Sequence, residues 1–116
     1  MSFRWPNKDP DETLDYSVDW SRFLGETATV VSSVWSVKTS YNVNKTVLAA
    51  GQTLTVASSG VIEDSIQNVS QTNTATVTTI NIAGGQDNTE YTFYCRITDS
   101  SGFVVERSVK LSVKER

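Results

Sequence analysis

Short runs in which apolar and polar residues alternate constrain the fold of this chain more than any other feature of its sequence. The clearest run is 91–98, where every second residue is apolar or aromatic, and a second run occupies 105–113. A period of two places such residues on one face of a β-strand. The intervening residues 99–102 are typical of a turn, so we predict a β-hairpin with a loop of about four residues. We expect a buried inner face formed by Phe93, Cys95, Ile97, Val109, Leu111 and, from elsewhere in the chain, Trp35.

The segment before Trp20 admits two interpretations. Residues 14–20 alternate, with acidic and apolar side chains on opposite faces, which indicates a strand. In the competing interpretation, Asp9 caps a helix that has Pro10 at its first position and Glu12 at its third, as in a capping box. Because no apolar residues follow at the helical spacings of three and four, we favour the strand.

Turn residues separate further apolar runs along the rest of the chain. The other strand candidates are 27–37, 42–49, 52–57 and 74–83. Residues 64–73 are polar and poorly periodic, which fits a long loop or an irregular edge strand. Turn signals at spacings of about 8 to 12 residues are typical of a sandwich. We therefore predict an all-β, immunoglobulin-like β-sandwich of about seven strands, with helix confined to a turn or two.

The net charge and the inventory of reactive residues exclude several classes of function. The 116 residues suffice for one domain, and a net charge of −3 offers no basic surface for DNA or RNA. Histidine is absent, and we expect the single cysteine, Cys95, to lie in the core as a small apolar side chain. The carboxylates lie in polar or turn-like positions, which favours solvated acids over catalysis or calcium binding. We predict no enzymatic activity, no cofactor and no metal site.

Signals for a membrane or for secretion are missing from the sequence. It has no run of about 18 apolar residues that could span a bilayer, and its first residues lack the apolar stretch of a signal peptide. A single cysteine also fits a reducing compartment. We therefore expect no membrane partner, and synthesis and folding in a cytoplasm.

An aromatic, proline-containing segment precedes the first plausible strand. Its apolar side chains are unfavourable to leave in water. The segment either folds back over one end of the sandwich or inserts into a neighbouring subunit, with Trp5 as the anchor and Arg4 as its polar companion. We divide the chain into an extended N-terminal arm at 1–13 and a sandwich at 14–116, which we expect to fold without the arm. The predicted partner-binding residues are Phe3, Arg4, Trp5 and Pro6.

Two parts of the sequence resemble known proteins. The opening has Trp5-Pro-Asn-Lys-Asp-Pro-Asp-Glu followed by Leu14-Asp-Tyr-Ser-Val-Asp-Trp-Ser-Arg-Phe-Leu. It is similar to the opening of small virion proteins of tailed bacteriophages that are called fiber-tail adaptor proteins. The final hairpin resembles the last two strands of bacterial and phage immunoglobulin-like domains. In such domains a tyrosine near the start of the penultimate strand bonds back to the preceding corner, and Tyr91 is similarly placed.

The resemblance implies a non-enzymatic structural protein of the virion, made in the cytoplasm of a bacterial host. The most concrete function is an adaptor that links a fiber or decoration to the tail or head. Its implied partners are tail, fiber or capsid subunits, repeated in a symmetric ring or shell. The alternatives are a capsid decoration protein with an exposed domain and, from a different class, a carbohydrate-binding module. Sugar binding would need exposed aromatic residues on one sheet face, for which Tyr41 and Tyr94 are the candidates.

Overall fold

β-Strands make up most of the residues that the structure describes. It is a computed structural model that describes residues 3–39, 45–58 and 61–115, and of Phe3, 55–58 and 61–65 it describes the backbone alone. The strands are β1 (Phe3–Arg4), β2 (Thr13–Asp19), β3 (Val30–Thr39), β4 (Thr46–Val47), β5 (Thr53–Ser58), β6 (Val61–Asn73), β7 (Val77–Gly84), β8 (Thr89–Asp99) and β9 (Val104–Val113). One helical turn, α1 (Ser21–Leu24), follows β2.

The strands form two sheets. One sheet has the order β1-β9-β8-β3-β4 and the other has the order β2-β7-β6-β5. Neighbouring strands are antiparallel except β1 and β9, which run parallel. The all-β sandwich is thus confirmed. Among the described residues, seven strands have six or more residues, and β1 and β4 add two residues each. Their number matches the prediction, but β6 takes the place of the candidate strand 42–49 among them. Of the candidate strand 42–49, Thr46–Val47 forms β4, and residues 42–44 lie outside the described part of the chain.

The predicted inner face of the hairpin is buried between the sheets. Residues 100–103 join β8 to β9, which matches the predicted loop of about four residues. Trp35 pairs with Cys95 across β3 and β8. The predicted residues Trp35, Phe93, Cys95, Ile97, Val109 and Leu111 are all buried. The other sheet contributes Tyr16, Val18, Ile66, Ile80 and Ile82 to the same core.

Tyr91 closes the corner before β8, as the sequence predicted. Its hydroxyl oxygen accepts the N–H of Gln86 at 2.7 Å, and its ring is buried. Gly85, at the same corner, has a φ of 108°, and a Cβ there would lie 2.9 Å from Cγ2 of Val113. Only glycine tolerates both this backbone conformation and the close approach to β9.

Residues 64–73 are not a loop, because they belong to β6, which lies between β7 and β5 in the second sheet. β5 pairs with β6 only as far as Gln67, so residues 70–73 pair with β7 alone, which agrees with the irregular edge strand. A bulge between Asn68 and Ser70 breaks the alternation of β6, and the buried Asn68 stands where an apolar residue is expected. Nδ2 of Asn68 donates to the backbone oxygen of Leu48 at 2.8 Å and to Oε1 of Gln71 at 2.9 Å. Because of the bulge and the buried, hydrogen-bonded amide, this strand lacks the regular alternation of apolar residues by which strands are predicted from sequence.

The segment before Trp20 forms β2, so the strand interpretation is confirmed and the helix interpretation is wrong. Part of the capping box nevertheless forms. The N–H of Asp9 donates to Oε1 of Glu12 at 2.9 Å, and the N–H of Glu12 donates to the backbone oxygen of Asp9 at 3.0 Å. These bonds close a single turn, after which the alternating residues pair with β7 instead of continuing as a helix.

The N-terminal segment folds back onto its own sandwich, which was the first of the two alternatives. After β1, the N–H of Trp5 donates to the backbone oxygen of Lys110 at 2.9 Å, and that of Lys8 donates to the oxygen of Ser112 at 3.0 Å. These residues therefore extend the edge of the first sheet. Folding of residues 14–116 without the arm stays a prediction, and these bonds argue against it.

Trp5 is part of the core of its own domain, which argues against the alternative in which it anchors the chain in a neighbouring subunit. Its side chain is only 8% exposed and stacks on Tyr16, with ring centroids 4.8 Å apart. The centroids of Phe93 and Trp35 lie 5.6 and 6.0 Å from that of Trp5. Nε1 of Trp5 donates to the backbone oxygen of Ser17 at 3.1 Å. Insertion into another subunit would require Trp5 to leave all of these contacts.

Lys8 fastens the end of the segment to the corner between β7 and β8. Its side chain is buried, and Nζ donates to the backbone oxygens of Gly84 at 2.6 Å and Asp9 at 2.9 Å. Burial lowers the pKa of this ammonium group, and the nearby carboxylates, Glu12 first, act in the opposite direction. A charged side chain thus satisfies two carbonyl groups where the segment ends.

Candidate interaction surfaces

The four predicted partner-binding residues lie in different environments. Arg4 and Pro6 are exposed, Trp5 is buried, and of Phe3 only the backbone is described. Arg4 and Trp5 line one groove, described below, but the structure does not bring all four together as one exposed patch, because Trp5 is buried while Arg4 and Pro6 face solvent. Partner binding by these residues stays a prediction.

Arg4 is engaged in contacts within its own domain. Its Nη2 donates to Oε2 of Glu90 at 2.8 Å, and its Nη1 donates to Oγ of Ser112 at 2.9 Å. The hydrogen bond from Arg4 holds the pKa of Glu90 below its ordinary value, with a smaller effect from Lys110, whose Nζ lies 3.6 Å from Oε1. Arg4 thus ties the exposed face of β1 to β8 and β9.

A groove at one end of the sandwich exposes three large apolar side chains. α1 forms one wall and the start of β9 forms the other, around a cavity of about 530 Å³. Phe23 is 40% exposed, Phe103 67% and Val104 60%. We call this surface the end groove, and exposed apolar side chains grouped in this way are typical of protein–protein contacts. Its other apolar lining residues are Leu24, Ala28 and Val105.

The loop that carries Phe103 is fixed by the buried Asp99. Oδ1 of Asp99 accepts the N–H of Ser101 at 2.9 Å and that of Phe103 at 3.0 Å. The loop is also bonded to the start of β3, since the N–H of Ser100 donates to the backbone oxygen of Thr29 at 2.8 Å. The N–H of Thr29 in turn donates to Oγ of Ser100 at 3.0 Å. These hydrogen bonds fix the loop in a conformation in which the side chain of Phe103 is exposed to solvent.

A second groove, of about 370 Å³, runs along the edge of the sandwich between β2 and β9. Trp5 and Trp20 form much of its floor, and their indole nitrogens are already bonded. That of Trp5 bonds to Ser17, as described, and that of Trp20 donates to Oγ1 of Thr78 at 3.0 Å. Both rings belong to the core, with Trp5 8% exposed and Trp20 1%, so little of either ring is open to the groove. Phe23 lines both grooves, so the two lie next to each other. The charged residues that line this edge groove are Arg4, Asp19, Arg22 and Arg107.

The reactive side chains do not converge on either groove. Cys95 is buried, and burial raises the pKa of its thiol to about 11. Its Sγ lies 3.4 Å from Oγ1 of Thr78, so it packs as a small core residue. Asp19 accepts the N–H of Ser21 at 2.9 Å, and this bond lowers the pKa of the carboxyl group. Among the residues whose side chains the structure describes, no three histidine, cysteine or acidic side chains are grouped closely enough to hold a metal ion.

The candidate sugar platform is partly covered by lysine side chains. Tyr94 is half-buried, and the Nζ of Lys45 lies 4.7 Å from its ring centroid, with that of Lys38 at 5.8 Å. Lys45 also forms an ion pair with Glu106 at 2.9 Å. These contacts occupy the ring face that a sugar would stack against. The second candidate, Tyr41, lies outside the described residues.

Both grooves contain residues that sequence reasoning did not single out as a site. Phe103 stands next to a turn, where an aromatic residue has no strand partner in the core, and this was the one available signal for the end groove. Arg107 interrupts the apolar face of the last strand, and it lies opposite Cys95 in the β8–β9 pair. This charged residue in an otherwise apolar pattern was the sequence feature that indicated the edge groove.

Comparison with known proteins bears on the function of these surfaces. The family model of the podophage GP4 fiber-tail adaptor protein gp77 matches residues 8–112. No curated protein matches the chain. Among the described residues no helix has the length and apolar character needed to cross a membrane. The name of the family indicates a structural adaptor that contacts other virion proteins in a phage tail. Since the match covers nearly the whole sandwich, the chain belongs to the family of the podophage GP4 fiber-tail adaptor protein gp77.

Proposed function

We propose that this chain is a non-enzymatic virion protein that joins a fiber to the tail of a podophage by protein–protein contacts. It is made in the host cytoplasm and repeated around a symmetric ring. Repetition lets modest contacts on each copy combine into a stable joint, because linked binding events reinforce one another. The family match supports the adaptor function over a capsid decoration, and the lysine contacts on Tyr94 disfavour a carbohydrate-binding module.

The end groove is the observation that carries this proposal. A small domain in water rarely leaves several large apolar side chains exposed side by side unless a partner covers them. Phe23 of α1, Phe103 of the loop between β8 and β9, and Val104 of β9 line one cavity. The bonded loop around Asp99 also presents Phe103 with little ordering left to occur on binding, which favours affinity.

Strand order supports the immunoglobulin-like part of the proposal. In that fold, strands C, F and G form one sheet and strands B, E and D belong to the other. β3, β8 and β9 correspond to the first set, and β2, β7 and β6 to the second. The bond between Tyr91 and Gln86 is the tyrosine corner of such domains.

Particles assembled without this chain test the adaptor function. We expect filled heads with tails that carry no fibers in electron micrographs, and we expect purified protein to restore fiber attachment. If fibers are attached normally without the chain, the adaptor function is wrong. If the tail itself is missing, the protein is a tail component and does not act as a fiber adaptor.

A double substitution in the end groove tests the surface itself. Phe103→Ser with Val104→Ser removes exposed apolar area, so the melting temperature should change little while fiber attachment is lost. Val47→Ser is the matched control, because Val47 is 58% exposed and pairs with Ser36, in the half of β3 remote from the groove. If the double variant restores fibers as well as the control does, the end groove is not the joint.

A further inference from the structure

We propose that residues 31–34 of β3 bind an extended, uncharged segment of the fiber or tail partner, which adds to the first sheet as a further β-strand. We call this stretch of β3 the open edge. The proposal rests on the proposed function and adds the kind of segment that the partner contributes, at a place separate from the end groove.

β4 covers only part of one side of β3. It pairs with β3 at Ser36 and Val37, and the N–H of Leu48 makes one more bond, to the backbone oxygen of Trp35 at 2.9 Å. On the side of β3 opposite β8, no described strand pairs with the residues before Trp35. In the facing sheet, β5 pairs with β6 only as far as Gln67. This side of the sandwich is therefore uncovered in both sheets.

The backbone groups of Ser33 point towards the uncovered side. Because the oxygen of Trp35 is bonded to Leu48, the peptide groups of Trp35 face away from β8. Peptide groups alternate along a strand, so those of Ser33, two residues earlier in an unbroken register, face the same way. No bond to a described residue occupies the N–H and C=O of Ser33 on this side. They are therefore available to an added strand, whereas the backbone groups of Ser32 and Val34 face β8.

The open edge lacks charge and proline, which commonly protect edge strands from the addition of another chain. Residues 30–34 are Val-Val-Ser-Ser-Val, and the bulge at Val31 is the one protective feature among them. The edge of β2 differs, because it carries two aspartates, and Nε1 of Trp5 already occupies the backbone oxygen of Ser17. The open edge is thus the better acceptor for a strand.

Exposed valines flank the open edge. Val31 is 61% exposed and Val34 45%, and Val69, at the start of the uncovered part of β6, is 42% exposed. β-Branched side chains of an added strand would contact these valines favourably. The nearest charge is already neutralised within the domain, because Arg96, opposite Val34, pairs with Glu106 at 3.4 Å. A segment without charges, rich in valine, isoleucine or threonine, therefore fits the open edge.

A second copy of this chain fits the open edge less well. Antiparallel pairing of the same edge in two copies has two-fold symmetry, so it closes as a dimer and does not continue around a ring. A strand from a different protein has no such restriction, because one can be added to every copy in the ring. Repetition then lets a ladder of few hydrogen bonds contribute to a stable joint.

Short overlapping peptides that tile the tail, fiber and capsid proteins of the phage, together with this chain's own sequence, test the proposal. We expect the purified protein to retain uncharged, β-branched peptides that come from tail or fiber proteins. When such a peptide binds, the amide hydrogen of Ser33 should exchange with solvent at least about 10-fold more slowly, because it gains a hydrogen bond. Affinity should change by less than about 2-fold as salt is raised, because no ion pair forms.

Two variants test the open edge directly. Ser33→Pro removes the free N–H and leaves the bonds between β3 and β8 in place, so the protein should fold while peptide binding weakens about 10-fold or more. Val31→Lys places a charge beside the edge and should also weaken binding. Val47→Lys is the matched control, because Val47 is 58% exposed on β4, and it should leave binding unchanged.

Methylated peptides separate backbone pairing from contacts of side chains alone, whether or not Ser33→Pro folds. A strand donates every second N–H to its neighbour. A peptide methylated on the alternate nitrogens that face β3 should therefore lose binding, while one methylated on the other nitrogens should keep it.

Several results would overturn the proposal. They are the retention of no peptide, binding to Val31→Lys as tight as to Val47→Lys, equal binding of the two methylated peptides, and an affinity that falls steeply with salt. Retention of peptides from this chain's own sequence would make a second copy the occupant and reject a tail or fiber partner. Retention of capsid peptides alone would confirm strand addition but contradict the fiber-tail function. Fibers restored by a protein that retains no peptide would leave that function intact and reject the open edge, so the two failures can be told apart.

Discussion

Replacing Trp5 by alanine decides whether the N-terminal segment belongs to the core or serves only a neighbouring subunit. The side chain is 8% exposed, stacks on Tyr16 at 4.8 Å and donates a hydrogen bond to Ser17. Removing a buried tryptophan in this way costs about 3 to 5 kcal/mol. We therefore expect Trp5→Ala to be folded at room temperature but clearly less stable, since a domain of this size has a free energy of unfolding of about 6 to 17 kcal/mol.

The expected change in melting temperature follows from the size of the chain. An unfolding entropy of about 2.1 cal/mol/K per residue gives about 0.24 kcal/mol/K for 116 residues. A loss of 3 to 5 kcal/mol then lowers the melting temperature by about 12 to 20 °C. Differential scanning calorimetry or the temperature dependence of the far-ultraviolet circular dichroism signal measures this shift.

Phe103→Ala is the matched control for Trp5→Ala, because it removes an aromatic ring that is 67% exposed. Its melting temperature should stay within about 2 °C of the wild type, as is usual for exposed positions. Deleting residues 1–8 should have at least the effect of Trp5→Ala, because it also removes the bonds of Lys8. If Trp5→Ala melts as close to the wild type as the control does, the segment is not part of the core, and residues 14–116 fold without it.

Three further predictions concern the hairpin, its cysteine and the Arg4 contact. Leu111→Ala should lower the free energy of unfolding by about 2 to 5 kcal/mol in urea titrations, because Leu111 is fully buried, and a loss below about 0.5 kcal/mol would contradict its place in the core. The thiol of Cys95 should resist alkylation at neutral pH until the protein unfolds. The pKa of the native thiol is about 11, whereas the thiol of the unfolded chain has a pKa near 9. The native state therefore binds more protons between these two values, so the contribution of this thiol to stability should fall as the pH rises through the window, and Cys95→Ala should remove that contribution. The pH dependence that Glu90 contributes to stability has the opposite sign, because the hydrogen bond from Arg4 lowers the pKa of Glu90. This stabilising contribution is present above pH 4.5 and is lost as the pH falls through the native pKa. Glu90→Gln should therefore lose less stability in acid than the wild type does.

The strands that alternate without interruption could be predicted from the sequence, and β6 could not. In β8, side chains at every second position enter the core, so a period of two is visible directly. In β6, the bulge after Asn68 shifts the inward positions by one residue, and hydrogen bonds to Leu48 and Gln71 allow an amide to be buried there. Such a buried amide is stable only because it is hydrogen-bonded, here in part to a group 20 positions away in the sequence. The alternation of apolar and polar residues carries no information about such a partner.

The proline content of the N-terminal segment led to the expectation that it docks on another subunit. Pro6 excludes a central strand, because it removes a backbone donor. It does not exclude an edge, where only some donors are used, and the N–H groups of Trp5 and Lys8 on either side of Pro6 make the bonds to β9. The charge pattern of the edge groove was equally hidden, because Arg22 of α1 and Arg107 of β9, which both line the groove, are 85 positions apart in the chain.

The parallel pairing of β1 with β9 has a consequence for the order of events during synthesis. Trp5 leaves the ribosome long before its backbone partner Lys110, which lies more than 100 positions later in the chain. Contacts of such long range form late, because closing a long loop has a large entropic cost that only the completed contact offsets. Trp5, which stacks on Tyr16, therefore cannot form its bond to Lys110 until β9 has been translated, so the core is completed only after the synthesis of β9. The two grooves, which both include residues of β9, become available to a partner only at that stage.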